Sequence, residues 1–312
     1  MGLLITGNCG YVGSALTKLA LEKGYQVIGY DNMMHGRDHM EEMESNSNLE
    51  IIEGDVRDTE KIRALIEKSD VVIHLAGIAR VDKCVEMEKE MNEINTEATS
   101  KIAQICKKNS KKLIFASSCS VYGLLGTSSE INEKTKLNPT TIYAQNKVDA
   151  EKGILKSGAD AVICRFATAY GEAPRMRYDL FINEVTRDAI KKGKIELFDP
   201  EVWRCYIHTE DMAKAILFFL ENNKTGIYNV GSNSQNINKT QIVQLIKDEV
   251  GEFEINVLRE KKDPRDYRIN FDKIESEGFK VGKTIKEGIK EMAASLAAGK
   301  IDPFDKKYTN YK

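Results

Sequence analysis

Tyr143 and Lys147 stand four positions apart in Tyr143-Ala144-Gln145-Asn146-Lys147. On a helix that spacing returns to one face, so a phenol and an ammonium can lie side by side. The positive charge favours the phenolate and draws the tyrosine pKa down from about 10 toward working pH. Such a pair can take the proton of a hydroxyl while hydride leaves the same carbon. About 20 residues upstream lies Ala116-Ser117-Ser118-Cys119-Ser120-Val121-Tyr122-Gly123, at the carboxyl end of a candidate strand. Hydroxyls there can hold a substrate oxygen against Tyr143.

Hydride needs an acceptor, and the first residues offer a place for one. Gly7-Asn8-Cys9-Gly10-Tyr11-Val12-Gly13 follows the first candidate strand directly and opens the first helix. Gly7 allows the tight turn, Gly10 lets backbone approach a pyrophosphate, and Gly13 lets helix and strand pack closely. The helix N-terminus then presents free N–H groups and its positive dipole end to an anion. Asp31 ends the second strand about 20 residues later. A carboxylate there accepts ribose hydroxyls and repels a 2′-phosphate, which favours NAD over NADP. Asp55, in Gly54-Asp55-Val56, either bonds an adenine amino group or caps the next helix.

The elements that must carry these groups alternate. Apolar runs at 3–6, 26–30, 49–53, 71–75, 112–116 and 161–166 read as strands, and helical stretches at 14–23, 60–68, 91–109 and 143–157 lie between or after them. All-apolar strands joined by helices mean a parallel sheet covered on both faces, so the fold class is α/β, a doubly wound Rossmann sheet. Ligands bind such a sheet beyond the carboxyl ends of its strands. After Gly171 the rhythm breaks: a charged helix at 178–192, a short run at 194–198, then strand and helix at 202–220 and a strand at 226–230. The expected division is a dinucleotide-binding domain over 1–170, rejoined by about 205–230, with 171–312 mostly a smaller interleaved α/β substrate lobe.

Composition narrows the function. The 312 residues carry 46 basic and 48 acidic side chains, which argues against a broadly basic nucleic-acid face. No apolar run approaches the ~20 residues that span a bilayer. Residues 1–6 read as strand and leave no room for a signal peptide. Six scattered cysteines without a CxxC pair suit free thiols in a reducing cytoplasm. The four histidines, His35, His39, His74 and His208, suggest no metal site.

Taken together, Gly7/Gly10/Gly13, Asp31, Asp55-Val56, His74-Leu75-Ala76-Gly77, Ser117-Ser118 before Val121-Tyr122-Gly123, and Tyr143 with Lys147 resemble the extended short-chain dehydrogenase/reductases in order and spacing. The similarity is greatest to their NAD-dependent epimerase/dehydratase branch, the UDP-glucose 4-epimerase-like enzymes of nucleotide-activated sugars. It runs on through Arg165-Phe166-Ala167-Thr168-Ala169-Tyr170-Gly171, Arg204-Cys205-Tyr206-Ile207-His208 and Asp263-Pro264-Arg265-Asp266-Tyr267-Arg268. The resemblance implies Tyr143 as general base and acid, Lys147 as its partner on the nicotinamide ribose, and Ser118, helped by Ser120, on the reacting oxygen. It places the cofactor against Tyr11 and Val12 in the glycine loop, Asn32 beside Asp31, Val56 beside Asp55, Leu75, Ala76, Gly77, Asn95 and Ala167. It places the sugar-nucleotide diphosphate against Arg204, Arg265, Arg268 and Asn183, guanidinium being suited to bidentate phosphate contacts. A homodimer through the helices at 91–109 and 143–157 is implied as well.

Two departures shape the reading. Dehydratases of the family carry an Asp-Glu pair where this chain has Cys119 and Ser120, so dehydration is not expected; Cys9 and Cys119 read as small space-fillers. Thr168 stands where the family has Asn. The expected activity is oxidation of a C4 hydroxyl on a nucleotide sugar, of 4-epimerase type. Alternatives are a net 4-dehydrogenase that releases the keto sugar, for example of a GDP-heptose in capsule synthesis, and a non-catalytic NAD-sensing regulator. A small-metabolite carbonyl reductase has no need of Arg204 or a large second lobe.

Overall fold

The computed structural model describes residues 1–79, 87–258 and 266–310, with backbone alone at 125–130. Seven strands, β1 (Gly2–Thr6), β2 (Gln26–Asp31), β3 (Leu49–Glu53), β4 (Val71–His74), β5 (Lys112–Ser118), β6 (Ala161–Phe166) and β7 (Gly226–Val230), form one sheet. Its order is β7-β6-β5-β4-β1-β2-β3, and all neighbours run parallel. The chain steps from β1 outward to β3, then returns to the other side of β1 at β4. That reversal opens a crevice beyond the carboxyl ends of β1 and β4.

Eight helices of ten residues or more lie among the described residues: α1 (Tyr11–Glu22), α2 (Thr59–Lys68), α3 (Thr99–Lys108), α4 (Ile142–Ser157), α5 (Phe181–Lys192), α6 (Thr209–Glu221), α7 (Lys239–Val250) and α8 (Ile285–Ala298). Alternation along the strands feeds two cores. Leu3, Ile5, Val71, Ile73 and Ile114 meet Leu16 and Ala20 of α1 and Ala213 and Ile216 of α6 on one face. Leu4, Val72, Leu113 and Phe115 meet Ile62 of α2, Ile102 of α3 and Ile154 of α4 on the other. The apolar strands are therefore covered on both sides, as a parallel sheet requires.

The remaining elements build a second layer around Ile182, Val185, Ile242, Ile246, Ile289 and Met292. Thr168–Tyr170 pairs parallel with Trp203–His208, which pairs antiparallel with Asn236–Asn238. Lys194–Leu197 runs beside Glu254–Val257, and Leu124–Ile131 beside Asp266–Ile269. The strand at Leu124–Ile131 has no counterpart in the sequence reading, because Gly126 and three hydroxyl side chains interrupt its apolar pattern.

Two helices depart from expectation. The stretch 91–109 is not one α-helix: Glu88–Asn92 is α, Glu93–Ala98 is π, and α3 follows. Within that π turn the Asn95 amide bonds both backbone groups of Ile78, and the Thr99 hydroxyl bonds the Asn95 carbonyl. Side-chain insertions of this kind mark the rare π turns. The helix expected from 178 begins only at Phe181, since the Tyr178 N–H donates to the Tyr308 carbonyl at 2.8 Å.

Candidate active site

Gly7 follows β1 with φ +72° and donates its N–H to the Tyr30 carbonyl at 2.8 Å. A Cβ there would sit 2.7 Å from the Ala76 nitrogen, and one on Gly13 would sit 1.9 Å from the Gly7 carbonyl. Backbone cannot yield that much, so glycine is obligatory at both positions. Gly10 precedes α1 without a side-chain cap, and no acid stands in the first turn. The N–H groups of Tyr11, Val12 and Gly13 therefore open the helix with its dipole uncompensated. The Tyr11 side chain turns away from this end: its hydroxyl donates to the Gly171 carbonyl at 2.5 Å and accepts from Asn183.

Asp31 stands at the end of β2, accepting the N–H of Cys9 at 3.1 Å and that of Met33 at 2.9 Å. Burial pushes its carboxyl up, and these two bonds oppose the shift. Asn32 is exposed and accepts the Met34 N–H. Asp55 is not the helix cap; that role falls to Asp58, which accepts the Lys61 N–H at 3.1 Å. The Asp55 carboxylate instead takes a fork from Arg57, with Nη2 at 2.6 Å, which holds its pKa down. Val56 is buried, Leu75 and Ala76 are half-buried, Gly77 is exposed, and Ala167 is buried, its N–H on the Val230 carbonyl. An anion cradle, an acid one strand over and a row of backbone at the ends of β4 and β6 fit a dinucleotide.

The hydroxyl chemistry gathers at the ends of β5 and α4. Thr141 caps α4 by accepting the Ala144 N–H at 3.1 Å, which puts Tyr143 in the first turn and Lys147 in the second. Ser118 accepts the Ser120 N–H at 3.1 Å, which leaves its own hydrogen to be donated, and its hydroxyl is near enough to the Tyr143 phenol to draw that group's pKa down. Ser120 is buried, and its hydroxyl has no partner among the described residues. The ammonium of Lys147 is 5.8 Å from the Tyr143 ring centre, yet it donates to the Ala116 carbonyl at 2.7 Å. Burial draws Lys147 down to about 8, against the pull of Glu151. The expected lowering of Tyr143 by Lys147 is not what the unliganded geometry gives. Burial pushes the phenol up, while the charge of Arg177 and the nearby Ser118 hydroxyl pull it back.

Other expected residues are already engaged within the protein. Asn183 is fully buried; its oxygen accepts the Gly171 N–H at 2.9 Å and its amide donates to Tyr11 and to the Arg177 carbonyl, both at 2.9 Å. No atom of its amide is left for a diphosphate. Asn95 is likewise engaged with Ile78. Arg204 is buried, bonded to the Trp203 carbonyl at 2.9 Å and 5.3 Å from the Tyr267 ring centre. Arg268 is exposed and lies 3.4 Å over the Trp203 ring. Arg265 lies outside the described residues.

Sequence reasoning missed Arg177, whose charge reaches Tyr143. It also missed Glu151, although Tyr143, Lys147 and Glu151 recur every four residues along one helix. His35, His39 and the sequence-distant His208 line a cavity of about 1220 Å³ along α1 that includes none of Ser118, Tyr143 and Lys147. His74 is a different case: burial takes its pKa to about 3, and both ring nitrogens are bonded, to Thr6 and Thr99.

Residues 3–231 match the NAD dependent epimerase/dehydratase family. The chain belongs to that family. Its cofactor is accordingly NAD. Among relatives of this NAD-dependent epimerase/dehydratase, a UDP-glucose 4-epimerase of Yersinia enterocolitica is 31% identical, covering 74% of this chain and 78% of that protein. A UDP-N-acetyl-alpha-D-glucosaminuronate decarboxylase of Bacillus cytotoxicus is also 31% identical, over 74% of this chain and 75% of its own. Among solved structures, the UDP-glucose 4-epimerase of Thermus thermophilus in complex with NAD superposes with a TM-score of 0.83 at 22% identity, covering 96% of this chain and all (100%) of that one. Among the described residues no helix of this family member is long and apolar enough to cross a membrane.

Proposed function

We propose that the chain oxidises the C4 hydroxyl of a nucleotide-activated sugar through Tyr143, as a 4-epimerase. The observation that carries this reading is the set of half-buried Ser118 and Tyr143 with buried Lys147 at the carboxyl ends of the strands, on the same edge of the sheet as the glycine loop. NAD, when bound, supplies the hydride acceptor. Ser118 donates to the sugar oxygen and orients it, and Tyr143 removes the hydroxyl proton. Lys147, released from the Ala116 carbonyl, is the nearest ammonium on the same helix face and stabilises the phenolate that receives that proton. Arg204, beside the Tyr267 ring, offers a planar cation to the diphosphate.

Dehydration is disfavoured by what occupies the two positions after Ser118. Cys119 is buried and its thiol donates to the Arg165 carbonyl at 3.2 Å, and Ser120 carries no acid. A keto sugar that turns over and is reduced on its other face leaves as the 4-epimer; one that departs as the ketone makes the reaction a net dehydrogenation. The names of the relatives favour the first outcome.

The test is incubation with UDP-, GDP-, CDP- and dTDP-sugars, following reduced nicotinamide and product stereochemistry together. A new 4-epimer without net NADH supports the reading. Net NADH replaces the epimerase with a dehydrogenase, and no turnover of any sugar leaves a dinucleotide-binding regulator.

A further inference from the structure

Behind Ser118 and Lys147 lies a buried ionic junction that the reaction above does not use. Glu151 stands one turn beyond Lys147 on α4 and is 2% exposed. Its Oε1 accepts the Ser117 hydroxyl at 2.5 Å, and its Oε2 accepts Nη2 of Arg165 at 2.6 Å. The Nε of Arg165 reaches both oxygens, at 3.1 and 3.2 Å. Arg165 then donates from Nη1 to the Tyr122 hydroxyl at 2.9 Å, and Tyr122 donates to Asn229 at 2.7 Å. Three elements meet at this one carboxylate: β5 through Ser117, α4 through Glu151 and β6 through Arg165. In the sheet register Ser117 lies opposite Arg165 and Ser118 opposite Phe166.

We propose that Ser117 and Glu151 are positioning residues, whose junction with Arg165 fixes the Ser118 hydroxyl and the Lys147 ammonium relative to Tyr143. The inference rests on the catalytic reading given above. A strand end that could pivot would swing adjacent side chains apart; the bond from Ser117 to Glu151 holds β5 at the residue just before Ser118. A bidentate guanidinium–carboxylate pair has one geometry, unlike a lysine pair, so it transmits position as well as charge. The Glu151 carboxylate also places a negative charge along the helix from Lys147. Lys147 is faced from β4 by His74, held neutral by burial, from β5 by the Ala116 carbonyl and Ser118, and from β6 by Arg165, whose charge Glu151 already pairs; Tyr143 and Glu151 face it from α4, and Arg177 acts on Tyr143 from the segment before α5.

Two variants separate positioning from support. Ser117→Ala removes one bond and leaves the ion pair intact. Its kcat is expected to fall about 10- to 100-fold, as loss of alignment does, while NADH affinity by fluorescence titration stays within about twofold. Unchanged kcat with only a lowered melting temperature would overturn the proposal. Glu151→Gln keeps an acceptor for Ser117 but removes the charge that raises Lys147. Lys147 then sheds its proton at lower pH, so the alkaline limb of kcat moves to lower pH than in the parent. A limb that stays in place argues against the charge role. If Glu151→Gln does not fold, Ser117→Ala still decides. The same limb is read without sugar from the pH dependence of NADH affinity. Inactivity of the parent chain on every sugar thus overturns the assigned reaction, while an unshifted limb in Glu151→Gln overturns this inference.

Discussion

On the sheet side of the cleft, Lys147 is buried and Ser118 and Tyr143 are half-buried; they lie close together, with Ser118 and Lys147 bonded to backbone and a hydroxyl and an ammonium still able to change partner. On the lobe side, Asn183 is buried like Lys147, but each polar atom of its amide is tied to Gly171, Tyr11 or Arg177. Both regions contain polar side chains inside the protein, and burial alone does not tell them apart. What differs is the destination of their bonds. A group that carries chemistry is held by contacts that can be exchanged. A group that carries the fold has its hydrogen-bonding capacity filled by backbone and side chains of three separate elements.

Tyr143→Phe tests the first half of that contrast most severely. Loss of the phenol oxygen should lower kcat about 10³-fold, with NADH affinity and melting temperature nearly unchanged, because the phenol is half-buried and its polar neighbour is the exchangeable Ser118 hydroxyl. A large fall in melting temperature would move Tyr143 into the structural class. Gly13→Ala comes next. The added Cβ would meet the Gly7 carbonyl at 1.9 Å, so helix and loop must part. Dinucleotide affinity measured by titration should drop by about 100-fold or more, roughly 3 kcal/mol. A variant that bound NADH normally would show that the loop can be rebuilt without its close packing.

Asn183→Ala should behave in the opposite sense to Tyr143→Phe. It leaves the Gly171 N–H and the Tyr11 hydroxyl short of a buried partner, a loss of about 2–3 kcal/mol, visible as a lower urea midpoint. KM for the nucleotide sugar is expected to stay within about twofold of the parent. A raised KM with unchanged stability would return Asn183 to the substrate.

The contrast also explains what could be read from the chain beforehand. The sheet was legible because β1 to β6 are mostly apolar and separated by helix-length spacers, and the glycine loop because its residues serve backbone geometry that has few solutions. The Tyr143–Lys147 pair was legible because helical periodicity turns spacing into adjacency. Asn183 was assigned to substrate by the family resemblance, and in a stretch rich in arginine and aspartate the sequence does not say which pairs close on each other. Arg177 closes on Asp179 at 2.6 Å, a contact two residues long that no periodicity announces. Glu151 was overlooked for the opposite reason: an acid on a charged helix reads as solvated surface until its partners on β5 and β6, 34 and 14 residues away, are known.

The smallest expected effect lies where the two regions join. Glu172 follows Gly171, its carbonyl accepts the Thr209 hydroxyl at the start of α6, and one carboxyl oxygen is buried without a hydrogen bond among the described residues. Burial pushes its pKa up to about 7; a bond from Ser295 opposes the shift and the charge of Glu291 on α8 adds to it. His208 lines the same cavity, its own pKa lowered by burial, so it does not restore the ordinary value by supplying a cation. A carboxyl raised in the folded state binds its proton more tightly folded than unfolded. Its stabilisation is therefore complete below about pH 4.5 and is lost as pH rises through about 7. Across that window the cost amounts to about 2–3 kcal/mol at most. Glu172→Gln, neutral at every pH, should flatten the fall in urea midpoint between pH 5 and 8 and exceed the parent in stability at pH 8. Parallel slopes for the two proteins would mean that Glu172 ionises in contact with water, and that the junction between the lobes is wetter than its burial indicates.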